Sequence, residues 1–273
     1  MGSYVDGKRY HYTQDDIVTA LREAGVVEGD LVFSHIALLP LGLLKEMQEG
    51  QSLVNVFVEA IKTVLGPKGS FITPTFSYSF CHSAPFDNRS TPSAVGAFSE
   101  VFRGLPGVSR SNDPLFSVAG FGPHALSLFS NLPNTSFGKD SFFERLLSTP
   151  CKICNIGLDL RYLTSIHSLE KKLNVPYRFD KAFTGELNGH SSTWQYYVRL
   201  LCENSEADCL PLQHLGEHAG LVKQVALGRG SLFAVELQPY IELALRQLKL
   251  NPWFLAKGPE LTEQQLAEIK EQS

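Results

Sequence analysis

The chain has 273 residues, 43% of them hydrophobic and 19% charged, which allows one large domain or two small ones around a substantial core. Its formal net charge of -4 argues against a nucleic-acid partner, while leaving room for a local basic pocket around one phosphorylated ligand. No apolar run approaches the ~18 residues of a membrane-spanning helix, and residues 1–10 lack the apolar stretch of a secretory signal, so no membrane partner is expected. The five cysteines, Cys81, Cys151, Cys154, Cys202 and Cys209, are odd in number, which implies reduced thiols in a cytoplasm. Cys151 and Cys154 run into a β-like segment, and Cys202 and Cys209 have the wrong spacing for a zinc knuckle. Buried structural thiols, and no metal, are the expectation.

In chain order, Thr13 reads as an N-cap for a helix carrying Ile17, Ala20, Leu21 and Ala24, stopped by Gly25. Residues 31–34 form a short buried strand. Ser52 opens a helix with Leu53, Val56, Phe57, Ala60, Ile61 and Val64 on one face, ended by Gly66 and Pro67. Residues 71–76 are a strand, Ser93 opens a helix with Val95, Phe98, Val101 and Phe102, and residues 116–121 and 152–157 are further strands. This alternation predicts an α/β fold with a central, mainly parallel or mixed sheet flanked by helices. Residues 193–201, 221–227 and 232–237 read as strands without helices between them, an additional antiparallel element. Residues 239–250 form an amphipathic helix, and residues 262–273 a polar helix or tail. One composite domain over 1–273 is expected, with a core at 1–185, a β-rich addition at 186–260 and a polar tail at 261–273.

His167 and Glu170 are the most informative pair. Leu163, Ile166, Leu169 and Leu173 recur around them at helical spacing, so both belong on one face of a short helix just beyond the strand at 152–157. Glu170 there would hold the imidazole in one tautomer and support its protonated form, as a general base requires. In open α/β sheets, sites form beyond such strand ends. The chain lacks a Walker-type phosphate loop, G-x-G-x-x-G and H-E-x-x-H. Residues 189–193 approach G-x-S-x-G but end in Thr193, so no nucleophile elbow is supported.

Five segments in order resemble the aminoglycoside 3-N-acetyltransferase family. Residues 29–42, with His35, are similar to its strand and turn V-H-S-S-L-x-x-L-G. Residues 64–77 resemble G-P-x-G-T-L-x-x-P-T-F-S, residues 110–122 resemble R-S-x-H-P-x-x-S-x-A-x-x-G, and residues 137–141 resemble F-G-x-x-S. Residues 165–170 fall where the family has S-x-H-x-x-E. The resemblance spans roughly residues 13–180, with a weaker echo to about 250. It implies an antibiotic-acetyltransferase fold, not the GNAT fold, and acyl transfer from acyl-CoA to an amino-sugar amine. By resemblance, His35, Ile36 and Ala37 and the Arg110, Ser111 and Ser117 segment line the CoA channel. Backbone N–H groups at the turn suit pyrophosphate, and Arg110 suits a phosphate fork.

The chain departs from the family at Ile36 and Ala37, where the family has serines, and at Asp113, where it has histidine. The connection from Ser77 to Ser93 is short and offers a single carboxylate, Asp87, where a polycationic antibiotic needs several. Tyr177, Phe179, Arg178 and Lys181 instead look like residues for a base and its phosphates. The resulting expectation is an N-acyltransferase acting on a nucleotide-linked (dTDP-type) 3-amino-deoxysugar for surface polysaccharide. In it His167 is the base, Glu170 its support, a backbone N–H or a hydroxyl holds the oxyanion with Thr75, Thr164 and Ser165 as candidates, and Phe86, Tyr177 and Arg178 are substrate contacts. Direct transfer in a ternary complex is favoured, since no activated nucleophile is evident. The alternatives are an aminoglycoside acceptor, a non-catalytic CoA-binding protein and, more remotely, a serine hydrolase. Oligomeric state stays open, a homodimer included.

Overall fold

A computed structural model describes residues 3–5 and 8–272. A hairpin of β1 (Ser3–Val5) and β2 (Lys8–Tyr10) leads into α1 (Gln14–Glu23). Thr13 caps that helix as expected: its hydroxyl accepts from the Asp16 N–H, and the Asp16 carboxylate accepts from the Thr13 N–H. Next come β3 (Leu31–Phe33), α2 (Lys45–Gln48), α3 (Leu53–Leu65), β4 (Ser70–Pro74) and α4 (Ala97–Phe102). Then follow β5 (Ser109–Arg110), β6 (Val118–Phe121), α5 (Pro123–Phe129), α6 (Phe142–Leu147), β7 (Lys152–Ile156) and α7 (Ile166–Leu173). The last third holds β8 (Arg178–Leu187), β9 (His190–Arg199), α8 (Leu210–His218), β10 (Lys223–Leu227), β11 (Gly230–Glu236), α9 (Leu237–Leu250) and α10 (Glu263–Gln272). No described helix is long and apolar enough to cross a membrane.

Seven strands form one sheet in the order β10-β11-β7-β3-β4-β6-β5. Successive side chains of a strand point to opposite faces, and the core divides accordingly. Val32, Phe71 and Cys154 pack with α1, α3 and α4 through residues such as Leu21, Phe57 and Phe102. Phe33, Ile72 and Ile153 pack on the other face with Phe143, Leu146, Leu169 and Tyr240. Helices thus cover both faces, as the α/β class requires.

The sheet is mixed. β3 runs parallel to β4 and to β7, whereas β6 with β4, β5 with β6, β11 with β7 and β10 with β11 are antiparallel. Short connections explain this: the turn at Gly228 and Arg229 between β10 and β11 cannot carry a parallel crossover. The β10–β11 hairpin therefore extends the central sheet, where the sequence suggested a separate addition, and α8 interrupts the segment read as strands alone. The distinct antiparallel unit is β8 with β9, paired from Arg178↔Arg199 to Leu187↔His190. Asn188 (φ 49°) and Gly189 (φ 84°) make its turn, the two left-handed residues that a twisted hairpin favours. α4 begins at Ala97, not near Ser93, because Gly96 (φ 103°) breaks the helical path before it.

Cys151 and Cys154 sit in opposite core layers, so they cannot pair. Cys81 is exposed, against the expectation of burial, because it lies on a surface loop after β4.

Gly157 ends β7 at φ 70°, and a Cβ there would lie 2.0 Å from the Ala37 carbonyl oxygen. Gly157→Ala is expected to lower unfolding free energy by about 2–4 kcal/mol, from the clash and the left-handed backbone together, read as a reduced urea midpoint at unchanged slope.

Candidate active site

The parallel strands β3, β4 and β7 deliver their C-terminal ends to one edge of the sheet, and the loops leaving them enclose a cleft of about 1340 Å³. His35, Ile36 and Ala37 line it from the end of β3, Pro74 and Phe76 from β4, and Thr164 and His167 from the segment after β7. The β8–β9 hairpin closes it with Arg178, Tyr196 and Arg199. Its apolar walls include Leu39, Leu43 and Met47, all solvent-exposed. Volume and walls are adequate for an extended acyl thioester with an acceptor.

α7 forms as its pattern predicts. Ile166 and Leu169 face the core, and Asn174 ends the helix in the left-handed conformation (φ 50°). Glu170 is 1% exposed, and three groups compensate it. His167 Nδ1 lies 2.6 Å from Oε2, the Tyr177 hydroxyl donates to Oε1 at 2.6 Å, and Arg178 Nε lies 2.8 Å from Oε2. Burial pushes the Glu170 pKa up, but the charges of Arg178 and His167 and the hydrogen bonds from His167 and Tyr177 outweigh it and hold the carboxyl below its ordinary range. Burial, aided by Arg178, holds His167 below 6.5 despite Glu170. An ionised carboxylate accepts only, so Nδ1 carries the proton of the neutral ring. Nε2 is then the basic nitrogen, and no described residue engages it. Phe137 packs edge-on against the ring at 5.3 Å.

Behind the cleft, Asn155 Oδ1 accepts from the His35 N–H at 3.1 Å, and His35 Nε2 meets Thr164 Oγ1 at 2.9 Å. At the turn, the Ala37 N–H bonds Ile156 O, while no described residue engages the Ile36 N–H.

His35, Ile36, Ala37, Thr164, His167 and Arg178 therefore share one cavity. Several other expected site residues lie outside it. Arg110 is not free for a phosphate: its guanidinium donates to Thr75 O at 2.6 Å, to Thr91 O, and to the Thr75 and Ser117 hydroxyls. Ser117 donates in turn to Thr75 O, and Ser111 accepts from the Val118 N–H. Thr75 is fully buried and bonds Ser117 O, so it cannot serve as an oxyanion donor. Phe86 is 1% exposed beneath Arg110 and contacts no cleft. Ser165 is buried at the start of α7 without a hydroxyl partner. Tyr177 is buried against Trp253 and Glu170, so it positions the carboxylate and does not touch a ligand. Asp113 accepts from the Leu115 and Phe116 N–H groups, and burial pushes its pKa up to about 6. Sequence reasoning misses Asn155, Phe137, Tyr196 and Arg199 as site residues. The one signal for Asn155 is a polar residue inside an otherwise apolar strand.

Sheet and helices define an α/β fold with a buried His167–Glu170 pair at a large cleft. The family model described as aminoglycoside 3-N-acetyltransferase matches residues 41–249. The chain belongs to that family and is an acyl-CoA-dependent N-acyltransferase. It is 26% identical over 255 residues to an aminoglycoside N(3)-acetyltransferase IV of Salmonella sp, covering 92% of this chain and 93% of the relative. A histidine-to-alanine mutant of aminoglycoside acetyltransferase AAC(3)-IVa, in complex with a gentamicin, superposes with TM-score 0.79 at 22% identity over 92% of this chain and 94% of that one. AAC-IIIb, binary with CoASH, superposes with TM-score 0.73 at 17% identity over 91% and 99%. These two likenesses speak for the fold.

Because Glu170 and His167 both have folded-state pKa values below their free ones, the unfolded chain binds more protons, and stability rises with pH. The contribution of this pair to stability is therefore complete above about pH 6.5, falls as the unfolded imidazole protonates, and falls again below about 4.3 as the unfolded carboxylate does. Glu170→Gln is expected to remove this carboxylate's share of the second fall and to cost about 3–5 kcal/mol at pH 7, since Arg178 stays buried without its charge partner. Urea titrations of both proteins from about pH 2.5 to 8 check this.

Proposed function

We propose that the protein transfers an acetyl group from acetyl-CoA directly to an amine of an aminoglycoside, with His167 as general base. The observation that carries this reading is the 2.6 Å contact of His167 Nδ1 with buried Glu170, which leaves Nε2 facing the cleft. Nε2 takes a proton as the amine attacks the thioester carbon, and Glu170 stabilises the imidazolium. The Ile36 N–H is the oxyanion donor. Alternation along the strand aims it away from β7, toward the β4 side where Pro74 lines the cleft, and a donor so placed is worth two to three orders of magnitude in rate, about 10²–10³. The C–S bond then breaks, and the proton on His167 passes to the departing thiolate. Direct transfer is supported by Cys209, the cysteine on the cleft, whose thiol burial pushes up to about 12, leaving no thiolate nucleophile.

One observation favours a second acceptor, an amino sugar linked to a nucleotide. Arg161, Arg178 and Arg199 line the cleft beside a lone acidic lining residue, Glu206, which Lys257 engages at 2.6 Å. The Asp87 carboxylate is folded back on the Arg89 and Ser90 N–H groups. A polycation finds few free carboxylates here, whereas phosphates meet a lining of positive charge, Arg199 being bonded to neutral groups while Arg178 and Arg161 are paired with Glu170 and Asp159.

His167→Ala is expected to lower kcat/KM by about 10²–10⁴-fold, and near-normal activity would remove the base assignment. The kcat/KM profile should fall on acidification with an apparent pKa below 6.5, and Arg178→Met should raise it. Thiol release from acetyl-CoA with kanamycin-type aminoglycosides and with dTDP-linked amino sugars decides the acceptor: turnover confined to the nucleotide-linked amines replaces the first reading by the second.

A further inference from the structure

Thr164 has no task in the reaction as written above, and its hydrogen bonds define one. Asn155 Nδ2 donates to Asp159 O and to Tyr162 O, each at 2.8 Å. Both partners are carbonyls, so the amide cannot be flipped, and Oδ1 faces His35 as an acceptor. Oδ1 lies 3.3 Å from His35 Nδ1, which must therefore carry a proton. Burial holds the His35 pKa down at about 4, so at neutral pH the ring has one N–H and a bare Nε2. The Thr164 hydroxyl, 2.9 Å from that Nε2, spends its single proton there. Thr164 lines the cleft, and with its proton so used the hydroxyl can offer a ligand there only lone pairs. Thr164 is thus an acceptor, and the expected oxyanion-donor role is closed to it.

We propose that Thr164 Oγ1 accepts one N–H of the attacking primary amine while His167 Nε2 accepts the other, so that the nitrogen lone pair is left aimed at the thioester carbon. Both residues line the same cleft, and the His167 N–H bonds the Thr164 carbonyl at 3.1 Å, which fixes their relation across one helical turn. The N–C bond forms as the C–S bond breaks. The proton on the His167 side leaves through the imidazole to the thiolate. The proton on the Thr164 side stays on nitrogen as the N–H of the product amide. Asn155 and His35 are positioning residues in this scheme, acting through Thr164. An amine with two N–H groups is the chemistry selected, and the alternative source of an N–H at the same lone pair is an amide of the CoA arm.

This proposal rests on His167 as the base, and the two fail separately. The test compares kcat/KM for kanamycin or the dTDP-linked amino sugar, whichever is turned over, with that for its N-methyl derivative, which has one N–H and can satisfy only the base. Thr164→Val is expected to lose about tenfold on the primary amine and no more than about threefold on the N-methyl amine, at unchanged KM for acetyl-CoA. Thr164→Ser should restore the primary-amine rate. Equal losses on both acceptors overturn the proposal, and a raised KM for acetyl-CoA overturns it by assigning the lone pair to the CoA amide instead. Retained activity in His167→Ala would sink the base reading alone. Independently of turnover, ¹⁵N NMR of labelled histidine should find His35 neutral with the proton on Nδ1 at pH 7; a proton on Nε2 overturns the proposal.

Discussion

Glu170 is a charge that the fold has to accommodate. A buried carboxylate is tolerated only when paired and hydrogen-bonded, and here three groups meet it: His167 one turn back on α7, Tyr177 in the connection beyond that helix, and Arg178 at the first position of β8. The same contacts dock the β8–β9 hairpin onto α7, which forms one wall of the cleft. The carboxylate also orients His167 and excludes the alternative tautomer. Arg178 has two opposed effects: it keeps Glu170 ionised, and it makes His167 harder to protonate. An imidazole that stays unprotonated near neutral pH is the outcome.

The rest of the cleft follows from sheet order. Only the central three strands are parallel, and their shared C-terminal edge is where the backbone leaves the sheet on three sides at once. His35 and Thr164, distant in sequence, meet there because β3 and β7 are neighbours. Gly157 permits the close passage of the Ala37 carbonyl that this meeting needs. The antiparallel outer strands add width and cover without changing that edge.

Several residues whose types suit ligand binding hold the scaffold instead. Arg110 ties Thr91, Thr75 and Ser117 together and lies over Phe86. A guanidinium with five donors satisfies several buried carbonyls and hydroxyls at once, and that is its work here. Charge and neighbouring hydroxyls are visible along the chain; which way the side chain turns is not. Tyr177 and Arg178 are also visible, but as contacts for a substrate. Their actual partner, Glu170, lies only one short helix-end away in sequence, yet the left-handed Asn174 reverses the chain between, and no periodicity describes that reversal.

By itself the sequence determined what is local. The spacing of Leu21, Phe57, Ile166 and Leu169 specifies helices, the apolar runs specify buried strands, and the helical repeat puts His167 and Glu170 on one face, because each depends only on backbone geometry over a turn or two. Tertiary structure alone decided the rest: the sheet order that seats the β10–β11 hairpin beside β7, the burial that shifts His35 and His167, and the chain Asn155–His35–Thr164 that fixes one hydroxyl proton. These depend on groups far apart in sequence meeting in a low-dielectric interior, where a single unmet hydrogen bond is costly enough to dictate which atom donates.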